Sequence, residues 1–200
     1  MKALRAAAVA AVSFLVAGCA AGLMRPASSE QVPAAAPDKA QVVFMRSSIV
    51  AAAIGCELFE VVNGELRFIG QLPTGNKVVY ETTPGDKVFM AYGTAADFML
   101  AKLQPGKTYY SIVRPNWGTG GFAPTPIRHR SASDEPTFEG QEFKDWNAST
   151  KRIEPNQDAA GWFRENRARM QTIYAEYWRR FQTKTEQEKH FRTLLPEDGR

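Results

Sequence analysis

Residues 40–114 carry short runs of β-branched and aromatic residues, separated by turn residues at intervals of about ten positions. Runs this short, interrupted so often by glycine and proline, are typical of β-strands and argue against helices. The predicted strands are 41–46, 56–62, 65–70, 77–82, 87–92, 97–103 and 108–114. Seven short strands joined by tight turns imply a β-sandwich.

Three dipeptides predict how neighbouring strands are joined. Asn63-Gly64 lies between two of the runs, and both residue types tolerate the positive φ that a two-residue hairpin turn requires. In Pro84-Gly85 and Pro105-Gly106, proline sets φ at one turn position and glycine relieves strain at the next. We therefore expect a hairpin at Asn63-Gly64 and tight turns at the two Pro-Gly dipeptides.

These strand and turn residues resemble a known family. The likeness covers about residues 39–114 and rests on 42–46, Asn63-Gly64, Pro84-Gly85, Pro105-Gly106 and Tyr109-Tyr110. It is to the sandwich domain of a family of bacterial lipoproteins of unknown function, related in pattern to PEGA-type surface modules. The resemblance implies an immunoglobulin-like or PEGA-like sandwich in a membrane-anchored protein, and it brings no catalytic residues. Ser47 departs from it, since family members tend to have proline there.

The N-terminus has the pattern of a secretory signal, with Lys2 and Arg5 followed by an apolar run at 6–17. The run is too short to cross a bilayer stably. Residues 15–19 read Leu-Val-Ala-Gly-Cys and resemble the lipobox of bacterial lipoproteins. That resemblance implies cleavage between Gly18 and Cys19, which removes 1–18, and acylation of Cys19 with chains such as palmitate. The alternatives are an ordinary signal peptide with an incidental cysteine, or a single-pass anchor.

The segment after the cysteine predicts where and how the protein is held. Gram-negative lipoproteins with Asp after the cysteine tend to stay in the inner membrane, so Ala20 points to the outer membrane and its periplasmic face. Residues 19–38 are rich in proline, alanine and serine and predict a flexible tether. Its root-mean-square reach would be roughly 25 Å. The predicted partner at this end is the membrane, through the acyl chains.

Charge and cysteine content narrow the function classes. The formal charge is +4, and removing Lys2 and Arg5 with the signal leaves +2, too weak to argue for nucleic acid. Cys56 is then the one cysteine besides the lipidation site, so no intrachain disulfide is expected. Cys56 is predicted to pack as a small hydrophobe. The alternatives are an intermolecular disulfide or a reactive thiol.

Residues 115–156 are predicted to be a loop-rich connection, because proline and glycine recur at 115–137. Trp117, Phe122, Arg128 and Arg130 are the candidate partner-binding residues, since large aromatics and a small basic cluster on loops can contact a ligand. The alternative is that the aromatics cover the open end of the sandwich and the arginines are simply solvated. A short helix at 139–146 and a further edge strand at 151–154 are also predicted.

Residues 157–195 form the predicted C-terminal helical segment. From 159 to 183, nine positions dominated by aromatic residues fall on one half of a helical wheel. They are Trp162, Phe163, Asn166, Met170, Ile173, Tyr174, Tyr177, Trp178 and Phe181. This face either packs on the sandwich, which we favour, or docks on another protein or the lipid surface. Thr185 and Glu188 predict a capping box for a short continuation that ends at Pro196.

Catalysis is not favoured by the residue inventory. His129 and His190 are the two histidines, and neither has metal-ligand spacing with Cys56 or with carboxylates. We expect no cofactor, no metal and no catalytic residues. The sequence predicts an α+β, mainly β lipoprotein that works as a non-catalytic interaction or structural module, with an envelope protein, peptidoglycan or a glycolipid as partner. The alternatives are a docking adaptor that uses the aromatic helix, or an unrecognised envelope enzyme.

Overall fold

The computed structural model describes residues 22–50, 52–118, 120–130 and 135–200. The predicted signal, its cleavage site and Cys19 lie outside the described residues. In the part of the chain that is described, no helix is long and apolar enough to span a membrane. The fold is α+β and mainly β, with two mixed sheets and three α-helices in the described ranges.

The larger sheet has six strands. In spatial order they are β1 (Met24–Pro26), β10 (Lys151–Pro155), β5 (Asn76–Thr82), β2 (Ala40–Arg46), β8 (Thr108–Asn116) and β9 (Gly121–Pro126). β10 is parallel to β5 and β2 is parallel to β8, while the other neighbours are antiparallel. The first predicted strand of the sandwich, β2, therefore lies in the middle of this sheet.

The smaller sheet has five strands. Their order is β11 (Thr193–Leu194), β7 (Ala96–Leu103), β6 (Gly85–Tyr92), β3 (Glu57–Val62) and β4 (Glu65–Gln71). All seven strands predicted between residues 41 and 114 are present, with bounds that differ by at most two residues. The β3–β4 turn has φ of 52° at Asn63 and 80° at Gly64, which confirms the predicted hairpin.

The two sheets enclose the main hydrophobic core. The ring of Phe44 from β2 meets the ring of Phe89 from β6 edge to face, with 5.3 Å between centroids. Cys56 is fully buried in this cluster, as predicted for a small hydrophobe. Alternate residues of each strand point into this core, so the inner face of each sheet is buried there. The outer face of each sheet remains to be covered by other elements.

A buried carboxylate joins the two sheets inside the sandwich. Glu60 on β3 accepts hydrogen bonds from the Tyr80 hydroxyl at 2.6 Å and the Thr82 hydroxyl at 2.8 Å, both on β5. The ammonium group of Lys87 lies 3.5 Å from the same carboxylate, and Arg67 lies 3.6 Å away. A buried charge needs such partners, so this cluster is part of the architecture of the fold.

Helix α2 (Ala159–Gln182) covers the outer face of the five-stranded sheet. Phe98 of β7 contacts Trp178 with 5.0 Å between ring centroids, and Phe59 of β3 contacts Phe163 at 5.9 Å. Met170 is fully buried at this interface. The aromatic helix face therefore packs on its own sandwich, as favoured from the sequence, and the docking alternative for this face is wrong.

Helix α1 (Gln141–Ser149) covers part of the outer face of the six-stranded sheet. Tyr110 of β8 contacts Phe143 edge to face at 5.3 Å. The prediction of a short helix in this region is confirmed. Residues 22–200 thus form four layers in the described ranges, with one helix outside each of the two sheets.

The predicted flexible tether is wrong for residues 22–38. Met24–Pro26 is a strand that pairs with β10, and the Arg152 guanidinium donates hydrogen bonds to the carbonyls of Ser29 and Gln31. Val32 packs against the cluster under α1. Proline is tolerated here because the segment lies at the sheet edge or outside the ladder, where its missing N–H breaks no pairing.

The prediction that 115–137 is entirely loop is also wrong, because β9 forms a hairpin with β8. Pro124 and Pro126 are two residues apart on an edge strand of the sheet, so their backbone nitrogens point to the same side. On the side away from β8 no N–H is needed for pairing, so both prolines fit in this strand. β10 is not an edge strand either, since β1 pairs outside it.

The C-terminal segment is helical only in part. Helix α3 (Glu186–Phe191) begins with the predicted capping box between Thr185 and Glu188, which is confirmed. The chain then leaves the helix, because Thr193 and Leu194 pair with β7 and Leu194 enters the main core. A single 3₁₀ turn at Pro196–Asp198 follows, and the backbone of Arg200 exchanges two hydrogen bonds with Thr108.

Candidate interaction site

A groove of about 840 Å³ lies on the outer face of the six-stranded sheet, over β8 and β9. Ile112 faces outward and is covered together with α1, and Arg114 follows two residues later on the same face. Arg114 pairs directly with Ala123, and Ile112 pairs with Thr125. The floor of the groove is therefore the part of this sheet face that α1 leaves uncovered.

The rim of the groove gathers exposed apolar side chains. The large hydrophobic residues exposed in the described ranges are Ile49, Val50, Ile54, Trp117 and Phe191, led by Ile49 at 86 % and Trp117 at 83 %. Val50, Trp117 and Phe191 line the groove. Ile54 and Trp117 line an adjoining pocket of about 140 Å³. Exposed apolar residues on a monomer are usually scattered, so this clustering indicates a contact surface.

Asp97 holds two sides of the rim together. It is buried, and its Oδ2 accepts a 2.7 Å hydrogen bond from the amide of Asn116, the neighbour of Trp117. The same oxygen lies 3.1 Å from the guanidinium of Arg192, the neighbour of Phe191. One carboxylate thus fixes the β8–β9 turn relative to the end of α3, and Asp97 is a positioning residue for this site.

Arg114 gives the groove a positive charge. It forms no ion pair or side-chain hydrogen bond with any residue that the structure describes. Arg114 is exposed at one end, but the packing around its guanidinium lowers its pKa; nearby Glu142 raises that pKa and Arg192 lowers it. Glu135, the carboxylate that lines the groove, lies 3.1 Å from the guanidinium of Arg128. The groove therefore presents a cation beside apolar side chains.

The four candidate residues predicted from the sequence have different positions. Trp117 is exposed on the groove, and Arg130 is exposed but does not line it. Phe122 is buried in the main core, where the guanidinium of Arg46 lies 4.1 Å from its ring centroid. The alternative that this aromatic closes the end of the sandwich is therefore correct. Phe122 is wrong as an exposed contact residue, and its buried ring reaches only the wall of the small pocket beside Trp117.

Arg128 is also wrong as a contact residue, because it is buried and engaged. Its guanidinium lies 2.9 Å from Asp198 and donates to the His190 carbonyl at 2.8 Å and to the Thr193 carbonyl. The carboxylate of Asp198 also accepts from the backbone N–H of His129 at 3.1 Å. Arg128 therefore ties the C-terminal segment to the end of β9.

The groups that nucleophilic or metal chemistry would use are not brought together. Burial raises the pKa of the Cys56 thiol, the charge of Arg46 lowers it, and that of Glu57 raises it. His129 and His190 are exposed, whereas Cys56 is fully buried. Within the described ranges, no group of three or more His, Cys, Asp or Glu side chains is placed to hold a metal ion.

A second groove, of about 620 Å³, lies on the outer face of the five-stranded sheet beside α3. Its lining includes none of the exposed aromatic side chains of the first groove. Lys189 lies 3.0 Å from Glu186, Lys87 lies beside the buried Glu60, and Lys102 lies opposite Asp86 on the neighbouring strand. Without exposed aromatic side chains, this groove is a weaker candidate than the first.

Sequence comparison with known proteins assigns no function to this site. No protein-family model matches the chain, and no curated protein matches its sequence significantly. The resemblance to a lipoprotein family therefore stays a prediction from the residues.

Sequence reasoning missed four residues of this site: Val50, Asp97, Arg114 and Phe191. Arg114 carried a usable signal, because it is the charged member of the outward series that begins with Tyr110 and Ile112 on one predicted strand. The others carried none, since they come from three distant parts of the chain.

Proposed function

We propose that this chain is a lipid-anchored protein of the bacterial outer membrane that holds a partner at the groove over β8 and β9 and is not an enzyme. Its two mixed sheets are compatible with an immunoglobulin-like or PEGA-like sandwich. The lipobox-like residues 15–19 support the anchor. The partner is an envelope component on the periplasmic side, and the sandwich is the scaffold that presents the groove.

One observation carries the proposed interaction. Trp117, Val50 and Phe191 are exposed apolar side chains on one groove, next to the cationic Arg114. Trp and Arg are the residue types most enriched at the energetic centres of protein interfaces. A monomer that exposed this set without a partner would gain nothing from it and would risk non-specific association.

The linker between the proposed anchor and the folded domain is shorter than the sequence predicts. Residues 22–38 belong to the folded domain, so Ala20 and Ala21 are all that separate Cys19 from Gly22. Three extended peptide steps span about 10 Å. The domain would therefore sit next to the headgroups, with the β1 edge on the membrane side.

The state of Cys56 supports a non-catalytic function. The thiolate is the reactive form of cysteine, and burial disfavours it here. A thiol nucleophile also needs a histidine within reach, and both histidines lie at the surface.

Metabolic labelling with an alkyne-bearing fatty acid tests the anchor. The wild-type protein and Cys56→Ala should be labelled and remain with the membrane fraction, whereas Cys19→Ser should be unlabelled and released. An unmodified, full-length N-terminus in the mass spectrum of the membrane-bound protein would contradict the proposal that Cys19 is acylated.

Site-specific photocrosslinking in cells tests the interaction. A photoreactive residue at Val50, on the groove, should give a discrete adduct that weakens when Trp117 is changed to serine. The matched control is a photoreactive residue at Glu165, which is exposed on α2. Identical adducts from both positions, or none from Val50, would contradict a groove-bound partner.

A further inference from the structure

We propose that the occupant of this groove is a peptide segment of a partner protein that places a carboxylate against Arg114 and apolar side chains against Trp117 and Phe191. The inference rests on the proposed function and names the chemistry of its partner. A guanidinium presents its donors in a planar fork that matches the two oxygens of a carboxylate. Arg114 is the groove cation without an ion-pair partner among the described residues.

The arrangement of the apolar anchors favours a peptide over a lipid. Val50, Trp117 and Phe191 share the lining of the groove with Arg114, Asn116 and Arg192, so the lining is not a continuous apolar channel. An acyl chain laid along the groove floor would desolvate the guanidinium without giving it a partner, which is costly. Separate anchors with a central cation suit alternating apolar and acidic side chains.

The edge of the sheet excludes one common mode of peptide binding. A peptide that extends a sheet needs free N–H and C=O groups along the edge strand. Pro124 and Pro126 remove two donors from β9, and the Pro124 carbonyl accepts a 3.4 Å hydrogen bond from Arg192. The segment is therefore bound through its side chains, and charge and apolar spacing set its specificity.

Selection from a displayed library of random twelve-residue peptides tests this inference on the intact lipoprotein in detergent micelles. The wild-type protein should enrich peptides with Asp or Glu next to aromatic or leucine residues. Arg114→Gln should lose the acidic preference and keep the apolar one. Arg167→Gln is the matched control, because Arg167 is an exposed arginine on α2 that pairs with Glu65 at 3.0 Å, away from the groove.

A selected peptide and its amide counterpart, with Asn and Gln in place of the acids, give the quantitative comparison by titration calorimetry. The acidic peptide should bind the wild-type protein about tenfold or more tightly, because a charge-assisted hydrogen bond is lost in the amide. The two peptides should bind Arg114→Gln equally. Trp117→Ser should weaken both to the same extent.

Three results would overturn the inference: no enriched peptide, an acidic preference that survives Arg114→Gln, or binding of soluble glycerol phosphate that Arg114→Gln abolishes. The last would assign the groove to an anionic headgroup. If photocrosslinking from Val50 still gives its discrete adduct, only the identity of the partner fails. If that adduct is absent as well, the proposed function fails with it.

Discussion

The guanidinium of Arg46 lies inside the sandwich, where it donates hydrogen bonds to the carbonyls of Ile54 and Leu72 at 2.9 and 3.0 Å. That of Arg128 is buried against Asp198 and holds the C-terminal segment. Arg114 stands at the groove with no ion pair among the described residues. Arginine therefore has three different roles in this protein: in the core, in a tertiary contact and on a contact surface. The burial of each side chain and its hydrogen-bond or ion-pair partners determine which role it has.

Changing Arg128 to methionine should lower the free energy of unfolding by about 3–5 kcal/mol, because it leaves the buried Asp198 without its counter-charge. Arg130 provides the matched control. It is exposed two residues away, so Arg130→Met should change stability by no more than about 0.5 kcal/mol. Urea denaturation of both variants measures the difference. Equal losses would show that Arg128 does not hold the C-terminal segment.

Glu57 predicts a dependence of stability on pH. Burial raises the pKa of its carboxyl, while the Gln71 hydrogen bond at 3.1 Å lowers it. The folded state therefore binds this proton more tightly than the unfolded state, whose pKa is about 4.3. The resulting stability is present below that value and is lost as the pH rises through the folded-state pKa.

Glu57→Gln should accordingly be more stable than the wild-type protein at pH 8, and the difference should vanish towards pH 4. Glu176→Gln, at an exposed carboxylate paired with Arg180, should stay within about 0.5 kcal/mol of the wild-type protein at both values. Unfolding free energies from urea titrations at the two pH values provide the measurement. A glutamine variant that is less stable at pH 8 would contradict the stated sign.

Among the elements, those with a regular local pattern were predictable. The strands of the sandwich alternate inward and outward residues, and α2 repeats its aromatic face every three or four positions. The missed strands β1, β9 and β11 are short outer strands of their sheets. Their pairing depends on partners distant in sequence, and proline, which argued against strand structure, is tolerated at an edge.

The candidate site was less predictable than the fold. Trp117 stood out as an aromatic residue among glycines, and it does lie on the groove. Its neighbours there come from the β2–β3 connection, β8 and the end of α3, so only the tertiary structure brings them together. Phe122 and Arg128 had the same sequence signature as contact residues, but the β8–β9 hairpin and the C-terminal segment bury them.

A chain that ends at Glu154 should fail to fold cooperatively. It lacks α2, which covers Phe59 and Phe98 on the five-stranded sheet, and it lacks β11. Exposing that apolar sheet face would remove several kcal/mol, comparable to the whole stability of a domain. Thermal melting followed by circular dichroism is the measurement, with Glu165→Ala as the full-length control. An unchanged melting temperature in the shortened chain would contradict this account of α2.

At the scale of the whole molecule, the layers leave one sheet face partly open. α2 covers the outer face of the five-stranded sheet, whereas α1 covers only part of the six-stranded sheet, and the groove lies over uncovered residues of β8 and β9. The N-terminal segment lies at the other edge of that six-stranded sheet, on β1, whereas β9 is at the groove edge. β1 and the groove edge of β9 are therefore separated by the full width of the sheet.

The distance between the domain and the headgroups tests the proposed short linker, in vesicles that carry the acylated protein. Asn156 donates a 2.6 Å hydrogen bond to the Gly22 carbonyl, so a dye on Gln157→Cys, in a Cys56→Ala background, should lie near the headgroups. A headgroup-bound quencher should quench it strongly. Inserting a twelve-residue Gly-Ser linker between Ala21 and Gly22 should reduce that quenching. Equal quenching with and without the insertion would show that the short linker does not set the height of the domain.

Unpairing of the β1 strand would lengthen the linker to the membrane. This strand pairs three residues with β10, and among the described residues no strand lies outside it, so a pull on the proposed anchor would be resisted first by these few hydrogen bonds. Peeling away residues 22–38 would release about 17 residues, with a root-mean-square span of roughly 23 Å. For the proposed lipid-anchored protein, release of this segment would let the domain move away from the bilayer by about that distance while the acyl chains stay inserted.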